Sequence, residues 1–157
     1  MNVKRAIGAA WFALAAMLAG PAPAQSLDAI ERYKADLAET CRDADLGALV
    51  LHEGFETRKD LTGDGIPDVI LSQHSAVCER AASVFCGSGG CNIAIFRATG
   101  GGYENIFEIL TQSFELTDVE GKPVIYLGMH GTNCGGSGAD PCEKFFTWNG
   151  TKFVEFR

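Results

Sequence analysis

Asp60 to His74 reads DLTGDGIPDVILSQH, and Glu115 to His130 reads ELTDVEGKPVIYLGMH. Each opens on an acidic residue and Leu-Thr, passes through a turn holding glycine and proline, and runs into an apolar strand ending in histidine. Two further pairs of blocks follow in the same order. CGSGGC, Cys86 to Cys91, matches CGGSGADPC, Cys134 to Cys142; both are small-residue loops closed by cysteines. NIAIFRATGGGYENIFEI, from Asn92, matches EKFFTWNGTKFVEF, from Glu143; each is an apolar run, a glycine turn and a second apolar run. Three matching blocks offset by about 50 residues indicate one supersecondary unit used twice, over about residues 58–110 and 113–157.

The unit reads as β. Val69-Ile70-Leu71 and Val124-Ile125-Tyr126-Leu127 are apolar and largely β-branched, and Ile93–Phe96 and Phe145–Trp148 are short apolar runs with glycine turns after them. Asn149-Gly150 predicts a type I′ hairpin turn, because both central residues need positive φ and these two tolerate it. Gly100-Gly101-Gly102 serves the same purpose in the first unit with a looser loop. Ahead of the repeats, Ser26 or Asp28 caps a helix carrying Ile30, Tyr33, Leu37 and Cys41 at helical spacing. Leu49 to Thr57 then reads as one strand. The expected fold is mainly β: two repeated β-meander units, each like a propeller blade, with one N-terminal helix packed on a sheet face and disulfide staples. Two units are too few to close a seven-bladed ring.

The chain begins as an export leader begins. Lys4 and Arg5 precede an apolar stretch from Ala6 to Ala19, Gly20-Pro21 breaks it, and Ala22-Pro23-Ala24 supplies small residues for a peptidase. Residues 1–24 are therefore expected to be a signal peptide cut before Gln25, leaving residues 25–157 as a single domain in the periplasm or outside the cell. The apolar stretch is shorter than the roughly 20 residues that span a bilayer, so stable membrane insertion is not expected after cleavage. Two of the 13 basic residues leave with the leader, so 11 face 20 acidic residues, a formal charge of −9. Such a chain repels phosphate backbones and anionic lipid, which argues against nucleic acid and membrane surfaces as partners.

Cys41, Cys78, Cys86, Cys91, Cys134 and Cys142 all follow the leader. An even number in an exported chain argues for disulfides. Zinc is disfavoured because no C-x2-C pair occurs and the histidines are scattered. The repeat selects a pairing: Cys86 with Cys91 and Cys134 with Cys142 close equivalent loops, which leaves Cys41 with Cys78.

Asp60-Leu61-Thr62-Gly63-Asp64-Gly65-Ile66-Pro67-Asp68 places side-chain oxygens at its first, third, fifth and ninth positions, with a main-chain carbonyl available at Ile66. Carboxylates packed this closely repel one another unless a cation sits between them, and Ca²⁺ takes six to eight oxygens in such a cage. The loop resembles the calcium loops of FG-GAP and integrin-type repeats, D-x-[DNT]-x-D-G-x-x-D followed at once by an apolar strand. That resemblance covers about a dozen residues; it implies Asp60, Thr62, Asp64, Ile66 (main chain) and Asp68 as metal ligands and a structural Ca²⁺. The Phe-Gly and Gly-Ala-Pro signatures of the family are absent. The whole chain is also similar to small secreted bacterial proteins with such a loop and a CGS-G-C loop, a resemblance that implies no activity. An EF-hand needs glutamate at position 12, where this chain has Leu71. The second copy has Val124 in place of Asp68 and is expected to bind nothing.

His74 and His130 stand at equivalent repeat positions and, with His52, are candidates for a second metal site or an acid–base pair. No G-x-S-x-G, H-E-x-x-H or P-loop pattern occurs. The aromatics Phe145, Phe146, Trp148, Phe153 and Phe156 alternate along a hairpin, and any that point outward would mark a binding face. The leading expectation is an exported, non-enzymatic, calcium-stabilised binding or structural protein of the cell envelope, with an envelope protein or wall polymer as partner. The alternatives are a secreted hydrolase using His74 or His130, and an inhibitor presenting the loop at Gly87–Gly90 or Gly135–Pro141.

Overall fold

A computed structural model describes residues 28–156; the expected leader, its cleavage point and Ser26 lie outside the described residues. Helix α1 (Ala29–Asp43) starts at Asp28, whose Oδ1 accepts the Ile30 N–H at 3.0 Å. Glu31 in its first turn and Arg42 in its last complement the helix dipole. Ile30, Leu37 and Cys41 fall on its buried side, as their spacing requires.

Among the described residues eleven strands follow. They are β1 (Leu49–Leu51), β2 (Glu56–Lys59), β3 (Asp68–Ser72), β4 (Ala76–Cys78), β5 (Cys86–Gly87), β6 (Gly90–Thr99), β7 (Gly102–Thr111), β8 (Ser113–Val119), β9 (Lys122–Met129), β10 (Cys142–Trp148) and β11 (Phe153–Glu155). Short 3-10 turns at Gln73–Ser75 and Gly131–Cys134 follow β3 and β9. Among the described residues the protein is mainly β, with one α-helix and three disulfides, arranged as three antiparallel sheets. In the first large sheet β2, β3, β6 and β7 lie side by side, with β5 added along β6. In the second the order is β8-β9-β10-β11. The third sheet is the small pair β1–β4.

Two local expectations are corrected. Leu49–Thr57 is not one strand: β1 pairs with β4, β2 pairs with β3, and Gly54 turns the chain between them at φ +85°. Asn149-Gly150 is not a two-residue turn. Trp148 pairs with Phe153, so four residues form the loop, and Asn149 Oδ1 accepts the N–H groups of Thr151 and Lys152 at 2.9 and 3.0 Å. The asparagine side chain replaces the backbone turn, a competition open to Asx residues. The two-residue turn with positive φ at both positions is Glu120-Gly121, at 54° and 77°.

The two large sheets pack face to face around Ile70, Ile93, Ile95, Ile125, Leu127 and Met129. Each such side chain contributes about 1.5–3 kcal/mol by leaving water. The aromatic hairpin adds to this layer: Phe107 of β7 lies 5.3 Å from Phe146 and 5.2 Å from Phe153, centroid to centroid. The other face of the first sheet (Val69, Leu71, Ala94, Phe96) is covered by Ile30, Leu37 and Phe55. Strand β3 is therefore buried on both sides, which explains why Val69-Ile70-Leu71 is apolar without alternation. The chain passes from one sheet to the other at Thr111, fully buried, whose hydroxyl lies 2.7 Å from the Ser113 carbonyl oxygen and 2.8 Å from that of Gly128.

The disulfides are Cys41–Cys78, Cys86–Cys91 and Cys134–Cys142, the pairs that the repeat selects. Cys41–Cys78 ties α1 to β4. The other two close the excursions that lead into β6 and β10.

Candidate metal centre

The Asp60–Asp68 loop joins β2 to β3 at one end of the two-sheet core. Gly63 and Gly65 turn it at φ +78° and +83°, where a Cβ would strain the backbone. Asp60 organises the turn from within: Oδ1 accepts Gly63 N–H at 2.7 Å and Oδ2 accepts Gly65 N–H at 2.8 Å. Asp64 Oδ1 accepts Ile66 N–H at 2.9 Å. Asp68 Oδ2 accepts the N–H groups of Leu61 at 2.9 Å and Thr62 at 3.1 Å.

Asp68 is the unusual member. It is fully buried at the start of β3, yet its Oδ1 has no hydrogen-bond partner. Thr62 Oγ1 is likewise buried and unpartnered. A buried polar oxygen left unsatisfied costs about 1–3 kcal/mol, and a charged one more. Two such oxygens in one loop are the donor type that a hard cation takes. The remaining free carboxylate oxygen, Asp64 Oδ2, faces Arg97 Nε at 3.7 Å. The five expected ligand positions thus share one loop, but Asp60 spends both oxygens on backbone N–H groups. Among the described residues no three acidic, histidine or cysteine side chains converge as a ready metal group. Ile66 turns its side chain to solvent, 53% exposed.

Beside the loop lies a cleft of about 210 Å³, walled by Thr62 and Gly63 on one side, Lys122 and Pro123 on the other, and Trp148. The Arg97 guanidinium lies 5.7 Å from the centroid of the Trp148 ring. Sequence reading missed Arg97. The available signal was one charge inside the apolar run Asn92–Thr99.

The histidines do not assemble. His52 and His74 are exposed, and His74 has the Phe114 ring 6.5 Å away. His130 Nδ1 sits 2.8 Å from Thr132 Oγ1. Among the described residues none of the three takes part in an ion pair. The Gly135–Pro141 loop is held by Asp140, whose Oδ2 accepts Ser137 N–H at 2.7 Å and Ser137 O–H at 3.0 Å. Those bonds, the backbone one first, hold the Asp140 carboxyl below its usual range.

The aromatic hairpin divides as alternation demands. Phe146, Trp148 and Phe153 face the core. Phe145 and Phe156 face out, 37% and 39% exposed. Phe145 pairs with Tyr126, rings 5.3 Å apart, and Tyr126 pairs with Glu115 on the next strand. Phe156 continues the row by donating its N–H to the Phe145 carbonyl. Tyr126 O–H donates to Glu143 at 2.8 Å, and that bond, with burial and the charges of Glu143 and Glu115, raises the phenol above its usual range.

No protein-family model matches the chain, and no curated protein or solved structure is significantly similar to it. Among the described residues no helix is long and apolar enough to cross a membrane.

Proposed function

We propose that this chain is an exported, non-enzymatic binding or structural protein of the cell envelope, made rigid by disulfides and by one Ca²⁺ in the Asp60–Asp68 loop. The fully buried, unpartnered Oδ1 of Asp68 carries the calcium reading, because a carboxylate oxygen placed there needs a partner and a hard cation supplies one. Asp64, Thr62 and Asp68 supply side-chain oxygens and Ile66 a carbonyl; Asp60 holds the turn and reaches the ion only by exchanging a backbone partner. Ca²⁺ there offsets two of the loop's three negative charges and is structural. The likeness of the loop to FG-GAP and integrin-type calcium loops supports these four ligands and implies Asp60 as a fifth. We read the two four-stranded meanders, β2-β3-β6-β7 and β8-β9-β10-β11, as one duplicated unit resembling a propeller blade. In support, each places a 3-10 turn and a disulfide between its second and third strands.

The binding role rests on the outward row Tyr126, Phe145 and Phe156, flanked by Glu115 and Glu143. Three cysteine pairs suit an oxidising compartment. Two experiments test these readings. Isothermal titration should give calcium heat with the wild type and none with Asp64→Ala; equal heat from both removes the loop assignment. The intact protein should retain an envelope protein or sediment with wall polymer in calcium, and the Phe145→Ala/Phe156→Ala variant should do neither. Hydrolysis of an envelope polymer by the pure protein, with no partner retained, would overturn the non-enzymatic reading.

A further inference from the structure

We propose that Arg97 is a built-in competitor of the Asp60–Asp68 cation site, holding Asp64 when no cation is bound and shifting towards the Trp148 ring when one enters. This rests on the calcium reading above. Three side-chain oxygens of the loop lack hydrogen bonds: Asp68 Oδ1, Thr62 Oγ1 and Asp64 Oδ2. The first two are buried. The third is the one oxygen of the set with a cationic neighbour, and that neighbour is Arg97, 3.7 Å away. At this distance the contact is an ion pair without a hydrogen bond. Arg97 Nε is itself buried and unpartnered, so the guanidinium is poorly anchored where it stands.

The alternative resting place is already in reach. Arg97 projects from β6 of the first sheet and lies 5.7 Å from the Trp148 ring on β10 of the second. A divalent ion bound to Asp64 and Asp68 removes the anion that attracts Arg97 and adds a like charge beside it. The tryptophan face then remains as its favourable neighbour on the second sheet, with Glu104 as its cross-strand partner on β7. Loop occupancy in the first sheet is thereby felt at a side chain of the second.

Calcium titration of the full chain tests this, followed by heat and by tryptophan fluorescence, with Trp148→Phe assigning the signal. An exposed ion pair is worth about 0.2–1 kcal/mol. Arg97→Gln should therefore bind Ca²⁺ about 1.4- to five-fold more tightly, since 1.4 kcal/mol is about tenfold. Arg97→Lys should stay near the wild type. Trp148 emission should change on binding in the wild type and change little in Arg97→Gln. Normal calcium heat with no Trp148 response, or Arg97→Gln binding equally or more weakly, would overturn the competitor while leaving the calcium site intact. Absence of calcium heat in both wild type and Arg97→Gln would remove the site and the competitor together. The Trp148 response of the wild type needs no change in the loop or at Arg97, so it stands as a test apart from Arg97→Gln.

Discussion

Asp60, Asp64 and Asp68 look alike in sequence but hold different positions in the loop. Asp60 spends both oxygens on glycine N–H groups, Asp64 spends one, and Asp68 is buried with one oxygen bare. The spacing alone placed all three in one tight turn; which oxygen is orphaned depends on β3 being covered from both sides. A second residue carries its own pH signature. Tyr33 is pushed up to about 12 from 10.0, by burial first and by Glu108 second, against an opposing hydrogen bond from Gln73. The folded chain thus keeps a proton that the unfolded chain has released. This stabilisation is whole below about pH 10 and is lost as pH rises towards about 12. Melting temperatures between pH 9 and pH 11 should fall less steeply for Tyr33→Phe than for the wild type. Parallel curves would mean that Tyr33 titrates as it does in the open chain.

At the scale of elements, the three disulfides are unequal staples. Cys41–Cys78 spans 37 residues and joins helix to sheet, whereas Cys86–Cys91 spans 5 within one hairpin. Loop-closure entropy assigns about 4 kcal/mol to the first and about 2 kcal/mol to the second. Chemical denaturation of the two double-alanine variants should reproduce that order. Equal losses would mean that the helix docks through Ile30 and Leu37 regardless of its tether. Strands β6 and β10 were legible because their apolar runs are short and bounded by glycine, whereas the short β4 and β5 were not. The break inside Leu49–Thr57 was not. Nothing local distinguishes a strand that changes partner at Gly54 from one that continues, because the two partners, β4 and β3, come from elsewhere in the chain. The Asn149-Gly150 loop escaped for a related reason. Its composition permits two turn geometries, and the pairing of Trp148 with Phe153 chose the longer.

For the whole molecule, a cation bound only by the folded state must raise stability by mass action. Calcium at 100 times its dissociation constant should contribute about 2.7 kcal/mol and raise the melting temperature by about 10 °C, reversibly on chelation. Asp64→Ala should show no such shift; a shift of equal size would place the ion elsewhere. The amino-acid sequence by itself determined the β class, the capped helix and, through the likeness of its two cysteine-closed loops, the cysteine pairs. These follow from short-range periodicity and from self-similarity, which a chain carries whether or not it is folded. Only the tertiary structure decided that the large sheets pack face to face, that Tyr126, Phe145 and Phe156 align on the outer side, and that Arg97 stands between Asp64 and Trp148. Each of these joins residues distant in the chain. Their meeting depends on strand register and on which face of a sheet is buried, and no local preference encodes either one.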